Sequence, residues 1–444
     1  MKGRRSIAGW WPRRRMTIAK IITEKTSGMN RRSFLTNAVR TGAVVVGLAL
    51  GGTLGSAQRV RAAQGPIRIG FLSRAFPPAI PTVDDSPIAR GFMLAVEELN
   101  ARGGVLGRPI EVALGDYTSD PKNVAAWATR LLQEKVDLLA GPVTSAERNA
   151  VGPIVSGADK LLLYGSFYEG QDQEHFPGVC NRLIFMFGPE PSQQFVPHLD
   201  YIMRRHGRIF YGLGSDYVWP RVVLRRLRAA LETRGGRLVG EEFFPVGGQK
   251  DFEPVLERIR SSGAAVVFGA LALPDNVTFA RQFYQAGIDQ KLAYWALADH
   301  EATTRAKGPQ ASTGTYSSFD YFMAVRTPEN QAFLKRLRDK YGPDAVMNTI
   351  GVAMYNAAHM FARAAEQAGS LDTDKLVSAL EGIRSRGPQG EVYMRAKDHQ
   401  IVVPSYLARA RKEWKGFEDM FDIVRSTGLV EPTEANCTFP LKKK

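Results

Sequence analysis

Side chains able to do chemistry are spread thinly through this 444-residue chain. The six histidines are scattered, and the two cysteines, Cys180 and Cys437, are too few for a metal cluster or a disulfide scaffold. A Gly-x-Ser-x-Gly elbow, a phosphate loop and a His-Glu-x-x-His pair are all absent from the sequence. The expectation is a binder and not an enzyme, with no cofactor and no metal. What the polar residues share is position, because each group directly follows a short apolar run. Thr144 and Ser145 follow residues 136–141; Ser166, Phe167, Tyr168 and Glu169 follow 161–165. Asp216, Tyr217 and Trp219 follow 209–213; Asp275 and Asn276 follow 265–269; Asp299 follows 292–297.

Thr144-Ser145 opens a helical pattern, so backbone N–H groups there are free to meet a carbonyl or carboxylate oxygen. A hydroxyl at that place also suits a plain helix cap. Ser166 to Tyr168 offer hydroxyls and aromatic faces for a pocket wall, and Glu169 an acceptor for an amide or amino N–H. Asp216 is placed to accept ligand N–H groups, with Tyr217 or Trp219 closing the wall. Pro220 behind them is a good first helical residue, so Asp216 also reads as a helix-entry residue. Asp275, Asn276 and Asp299 are weaker candidates on the same positional ground, and ordinary helix caps are the plainer reading of them.

The elements that would carry these residues alternate regularly. Apolar strands are expected at 67–72, 110–115, 136–141 and 161–165, with helices at 88–101, 121–134 and 146–156; Gly103-Gly104 stops the first helix. Strands apolar throughout and separated by helices imply a parallel sheet covered on both faces. The alternation restarts after Pro189: helices at 193–205, 220–234, 252–261 and 276–286, strands at 209–213, 238–244, 265–269 and 292–297. Helices at 328–341 and 345–368 and a hairpin-like turn at 387–390 complete it. The fold class is therefore α/β, with two doubly wound lobes.

The formal charge of +15 points toward nucleic acid only until it is located. Residues 1–63 hold thirteen Lys or Arg against Glu24 alone, leaving 46 basic and 43 acidic residues in the body. Nucleic acid is thus not the expected partner. The basic stretch 30–35 (Asn-Arg-Arg-Ser-Phe-Leu) precedes an uncharged run, 41–58, too rich in glycine for a confident membrane span. This is the pattern of an export signal, cleaved between about 57 and 63, and its twin arginine resembles the bacterial twin-arginine signal read by its own export machinery. An uncleaved anchor is the alternative, and translation is expected to begin at Met16 or Met29. In an oxidising periplasm Cys180 and Cys437 could pair or stay apart.

The segment 95–110 (AVEELNARGGVLGRPI) resembles the first helix and turn of type I periplasmic binding proteins of the branched-chain amino acid, urea and amide group. Thr144-Ser145, Tyr168-Glu169-Gly170, 214–221 (GSDYVWPR) and 388–392 (PQGEV) strengthen it; the last three are closest to urea- and short-amide-binding members. The resemblance spans about 67–424. It implies a three-segment hinge, with lobe one at 66–187 plus 322–386, lobe two at 188–321 plus 387–424, and a tail at 425–444. It further implies a small-molecule ligand between the lobes, ABC permease subunits as partners and delivery to an importer; a sensor of the same fold is the alternative. Three departures alter the pocket edge. Loop 74–81 lacks the family's Ser-Gly pattern, Val143 stands where amide binders tend to have an aromatic, and Phe167 replaces a smaller residue. They turn the expected ligand from urea toward a bulkier amide, amino acid or carboxylate.

Overall fold

A computed structural model describes residues 65–73, 86–117, 121–171, 180–433, 437 and 439. The export signal expected within 1–63 and the loop expected over 74–81 lie outside the described residues. The first sheet contains β1 (Ile67–Ser73), β2 (Ile110–Asp116), β3 (Leu138–Ala140), β4 (Leu162–Tyr164) and β5 (Ile184–Met186), all parallel in the order β2-β1-β3-β4-β5. Between them run α1 (Pro87–Ala101), α2 (Pro121–Gln133) and α3 (Ser145–Ala158). Helix α1 ends where Gly103 and Gly104 take φ of 101° and 81°, a left-handed backbone that favours glycine.

After the short α4 (Pro191–Gln194) and α5 (Leu199–His206), the alternation continues with β6 (Ile209–Ser215), α6 (Val218–Glu232), β7 (Arg237–Phe244) and α7 (Glu253–Ser261). Next come β8 (Val266–Ala270), α8 (Asp275–Gln285), β9 (Ala293–Ala296), α9 (Glu301–Lys307), α10 (Pro309–Ser312) and β10 (Tyr316–Phe319). The single helix expected over 193–205 is broken into α4, a 3₁₀ turn and α5, because Pro197 supplies no N–H to the ladder. Helices α11 (Pro328–Tyr341), α12 (Thr349–Ala368) and α13 (Thr373–Leu380) lead to β11 (Arg384–Gly387), β12 (Gly390–Met394), β13 (Ile401–Ala410) and β14 (Phe421–Val430). The second sheet runs β11-β12-β13-β10-β9-β8-β6-β7, with β14 also on β13. Strands β6 to β10 are parallel; β10–β13, β11–β12, β12–β13 and β13–β14 are antiparallel.

Each sheet is buried on both faces. One core of the first sheet packs α1, α11 and α12 against Ile69, Phe71 and Phe185; its other face packs Val124, Leu131, Val151 and Val155 against Leu139 and Leu162. The second sheet does the same with Leu224 and Leu227 of α6 on one side and Leu256 and Phe279 on the other. Val392 and Met394 of the hairpin, given to lobe two by the resemblance, share the core of the first sheet with Ile401 and Val403. Leu407, further along β13, lies in the core of the second. The strand that joins the two cores is therefore β13, buried through nearly its whole length.

Candidate functional site

In both sheets the strand order reverses about the first strand, between β1 and β3 in one and between β6 and β8 in the other. Open α/β sheets bind ligands beyond the carboxyl ends of the strands at this reversal. The residues at these ends are Ser73, Thr144 and Ser145 in the first sheet, and 215–219 and 270–274 in the second.

Thr144 caps α3: its hydroxyl accepts from Glu147 N (3.3 Å), and Glu147 Oε2 accepts from Thr144 N (2.7 Å) and Val143 N (3.2 Å). The N–H groups of Ser145 and Ala146 have no intrahelical acceptor, as at any helix start. Ser145 Oγ donates to the carboxylate of Glu169, and Arg148 Nη2 donates to the same carboxylate at 2.6 Å. This ion pair is sealed from solvent, side chains 1% and 0% exposed. The guanidinium also lies 5.2 Å from the Tyr164 ring centre and 5.1 Å from that of Tyr168. Despite this crowd, Arg148 Nη1 has no hydrogen-bond partner among the described residues.

Tyr168 donates to Gln400 Oε1 at 2.5 Å, and Gln400 in turn donates to Gly188 O and Gln193 Oε1. Ser166 is buried, and its carbonyl lies 2.1 Å from where a Cβ on Gly188 would be, so only glycine fits there. Phe167 leaves the first sheet to meet the second: its ring centre is 5.1 Å from Trp219 and 5.1 Å from Phe319. Tyr217 is 6.2 Å from Trp219. Trp219 is 2% exposed, and its Nε1 has no partner among the described residues.

The lobe-two acids have separate fates. Asp216 is exposed and paired with Arg221 at 2.6 Å. Asp275 accepts from Gly247 N at 2.7 Å, tying down the loop after β7; burial holds its carboxyl above the usual range. Asn276 Nδ2 donates to Asp299 Oδ1 at 3.0 Å, and buried Lys307 pairs with the other Asp299 oxygen. Burial lowers the Lys307 pKa. The structure thus gathers Ser145 with Glu169, Phe167 with Trp219 and Tyr217, and Asn276 with Asp299, while Asp216 and Asp275 each stand apart.

Sequence reasoning missed Arg148, Lys307, Phe319, Ser73, Ser86, Glu301 and Asp320. Arg148 did leave a signal: it shares a helical stripe with Val151 and Val155, and a charge on such a stripe needs a buried partner. Ser73 and Ser86 are fully buried with no hydroxyl partner among the described residues. Glu301 accepts from Met323 N at 2.6 Å, and burial raises its pKa to about 8. Burial likewise raises Asp320, bonded to Thr349, to about 7. Among the described residues no group of three or more His, Cys, Asp or Glu could hold a metal ion, and no helix is long and apolar enough to cross a membrane.

A family model described as periplasmic binding protein matches residues 66–415. The chain belongs to the periplasmic binding protein family. It is similar to Leu/Ile/Val-binding protein homolog 6 of Brucella suis, 28% identical over 310 residues, covering 68% of this chain and 78% of that one. An ABC transporter substrate-binding protein from Sphaerobacter thermophilus shares the fold at a TM-score of 0.72 and 23% identity, over 82% of this chain and 98% of that one. A solute-binding protein of an ABC transporter from Rhodopseudomonas palustris, in complex with 3,4-dihydroxy benzoic acid, does so at 0.73 and 19%, over 82% and 98%. These relatives are binding proteins and not enzymes. This periplasmic binding protein is accordingly a type I member by fold.

Proposed function

We propose that this protein is the exported substrate-binding subunit of an ABC importer, holding one small organic ligand between its two lobes and releasing it to the permease. The reading is carried by a strand-order reversal in each sheet together with the contact of Phe167, beyond a strand end of the first sheet, with Trp219 and Phe319 of the second. A ligand oxygen docks at the start of α3, where Ser145 and Ala146 present backbone N–H groups beyond the cap. The lobes turn about the segments near Gly188 and Asp320 and about β13, and closure buries the ligand. A signal around the twin arginine at 31–32 directs export by the twin-arginine route and is cleaved between about 57 and 63.

Relatives named for leucine, isoleucine and valine and a neighbour holding a dihydroxybenzoic acid both fit such a cleft. The direct test is a thermal-shift panel of urea, short amides, branched-chain amino acids and aromatic carboxylates. A ligand that binds only the folded chain raises its melting temperature by mass action. A rise with one class supports the reading; none with any class sinks it.

A further inference from the structure

Charge is not spread evenly over the body of the chain. Between Leu199 and Gly240 stand nine arginines and no lysine against Asp200, Asp216 and Glu232, while the rest of the body from residue 64 holds 37 basic and 40 acidic residues. One stretch therefore carries a net +6, and the remainder of the body a net −3.

The fold gathers this stretch on one side of the second sheet. Leu199, Ile202 and Met203 of α5 share a core with Leu224, Leu227 and Leu231 of α6 and with Leu238 of β7. Burying these apolar faces leaves the arginines toward the outside. Arg204 and Arg205 end α5, and Arg221, Arg225 and Arg228 follow one another along one stripe of α6. Three of the nine are neutralised, Arg221 by Asp216, Arg228 by Glu241 and Arg234 by Asp200. Arg204, Arg205, Arg208 and Arg237 are exposed and have no acidic partner among the described residues. The field reaches neighbouring side chains. Burial lowers the pKa of His206, and Arg205 and Arg409 lower it further; burial, with Arg425, lowers His198 to about 3.

The face is broad and basic and lacks an apolar anchor: among the described residues between Leu199 and Gly240, Val239 is the one large hydrophobic side chain that is exposed. Protein interfaces are built around buried aromatic and aliphatic anchors. A layer of anionic headgroups asks only for charge, and the guanidinium fork matches phosphate oxygens better than an ammonium does.

We propose that this arginine face of the second lobe docks on the anionic phospholipid headgroups of the membrane that bears the permease, holding the binding protein beside it. The inference rests on the export reading above, which puts the chain next to that membrane. The test is flotation of the full chain with vesicles of phosphatidylcholine, alone or with one quarter phosphatidylglycerol. The wild type is expected to bind the anionic vesicles at least tenfold more strongly, and to lose that excess between about 50 and about 300 mM salt as the Debye length shortens. Arg204→Glu/Arg205→Glu/Arg237→Glu is expected to lose at least fivefold; the same three changed to Gln, which adds no repulsion that could disturb folding, at least threefold. Arg102→Glu/Lys335→Glu/Lys375→Glu, an equal change of charge at exposed positions beside the first sheet, is expected to lose less than twofold. Residues 1–63 are the same in every chain, so their own attraction cancels in these ratios. No preference for anionic vesicles, or equal losses in the two sets of variants, overturns the proposal. Indifference to those vesicles together with binding of poly-glutamate that the same arginines govern overturns it in favour of an acidic protein partner. A chain that behaves as expected on vesicles but fractionates with the cytoplasm overturns the export reading and leaves the anionic surface standing.

Discussion

The Arg148–Glu169 pair is an ion pair sealed from solvent beside the start of α3. Both charges are desolvated, and each is tolerable only while the other is present. Arg148→Met is therefore expected to cost about 3–5 kcal/mol, because it strands the Glu169 carboxylate; urea denaturation measures it. Glu301 makes a pH prediction. Its folded pKa, about 8, lies above the ordinary carboxylate value, so between about pH 4.5 and 8 the folded chain holds more protons than the unfolded one. Its contribution to stability thus falls as pH rises through that window. Glu301→Gln, which fixes the neutral form, is expected to gain on the wild type by roughly 2–4 kcal/mol toward pH 8 and to match it near pH 4.5. Denaturation midpoints across that range decide it. Of these residues, the positions of Ser145, Phe167 and Trp219 were legible, because the end of an apolar run marks a sheet edge. Their partners were not: nothing in the linear order says that Lys307 turns back onto Asp299 or that Phe319 meets Phe167.

At the scale of elements, the closest packing is between α1 and α12. A Cβ on Gly91 would lie 2.0 Å from Gly351 O, and one on Gly351 2.4 Å from Pro87 O, both backbone atoms that cannot swing aside. Gly91→Ala is expected to cost at least ~2 kcal/mol by forcing the helices apart, read as a lower denaturant midpoint with intact helical circular dichroism. The βαβ alternation was readable because apolar strands and amphipathic helices have different periods. Strand β5, helix α9 and strand β10 escaped notice. They are three, seven and four residues long, too short for either period to declare itself. The long β13 was hidden differently: it is buried over nearly its whole length as it passes from one core to the other, so it shows no alternation.

For the whole molecule, one question left open by the sequence is the pairing of its two cysteines. Cys180 and Cys437 are bonded, their Cα atoms 5.4 Å apart across 257 residues. Phe439 beyond them lies 4.5 Å from the His399 ring. Replacing both cysteines by serine is expected to cost about 2–5 kcal/mol, with reductant reproducing the loss in the wild type. The pairing could not be foreseen, since neither spacing nor composition brings position 437 to position 180. The lobe plan came from resemblance and not from periodicity, which reads a chain only in order. The central claim is capture of a ligand by closure of two lobes, and small-angle X-ray scattering with and without a saturating ligand tests it most directly. The account predicts a smaller radius of gyration on binding. Binding with an unchanged radius, in a protein that scatters as open when unliganded, would contradict it.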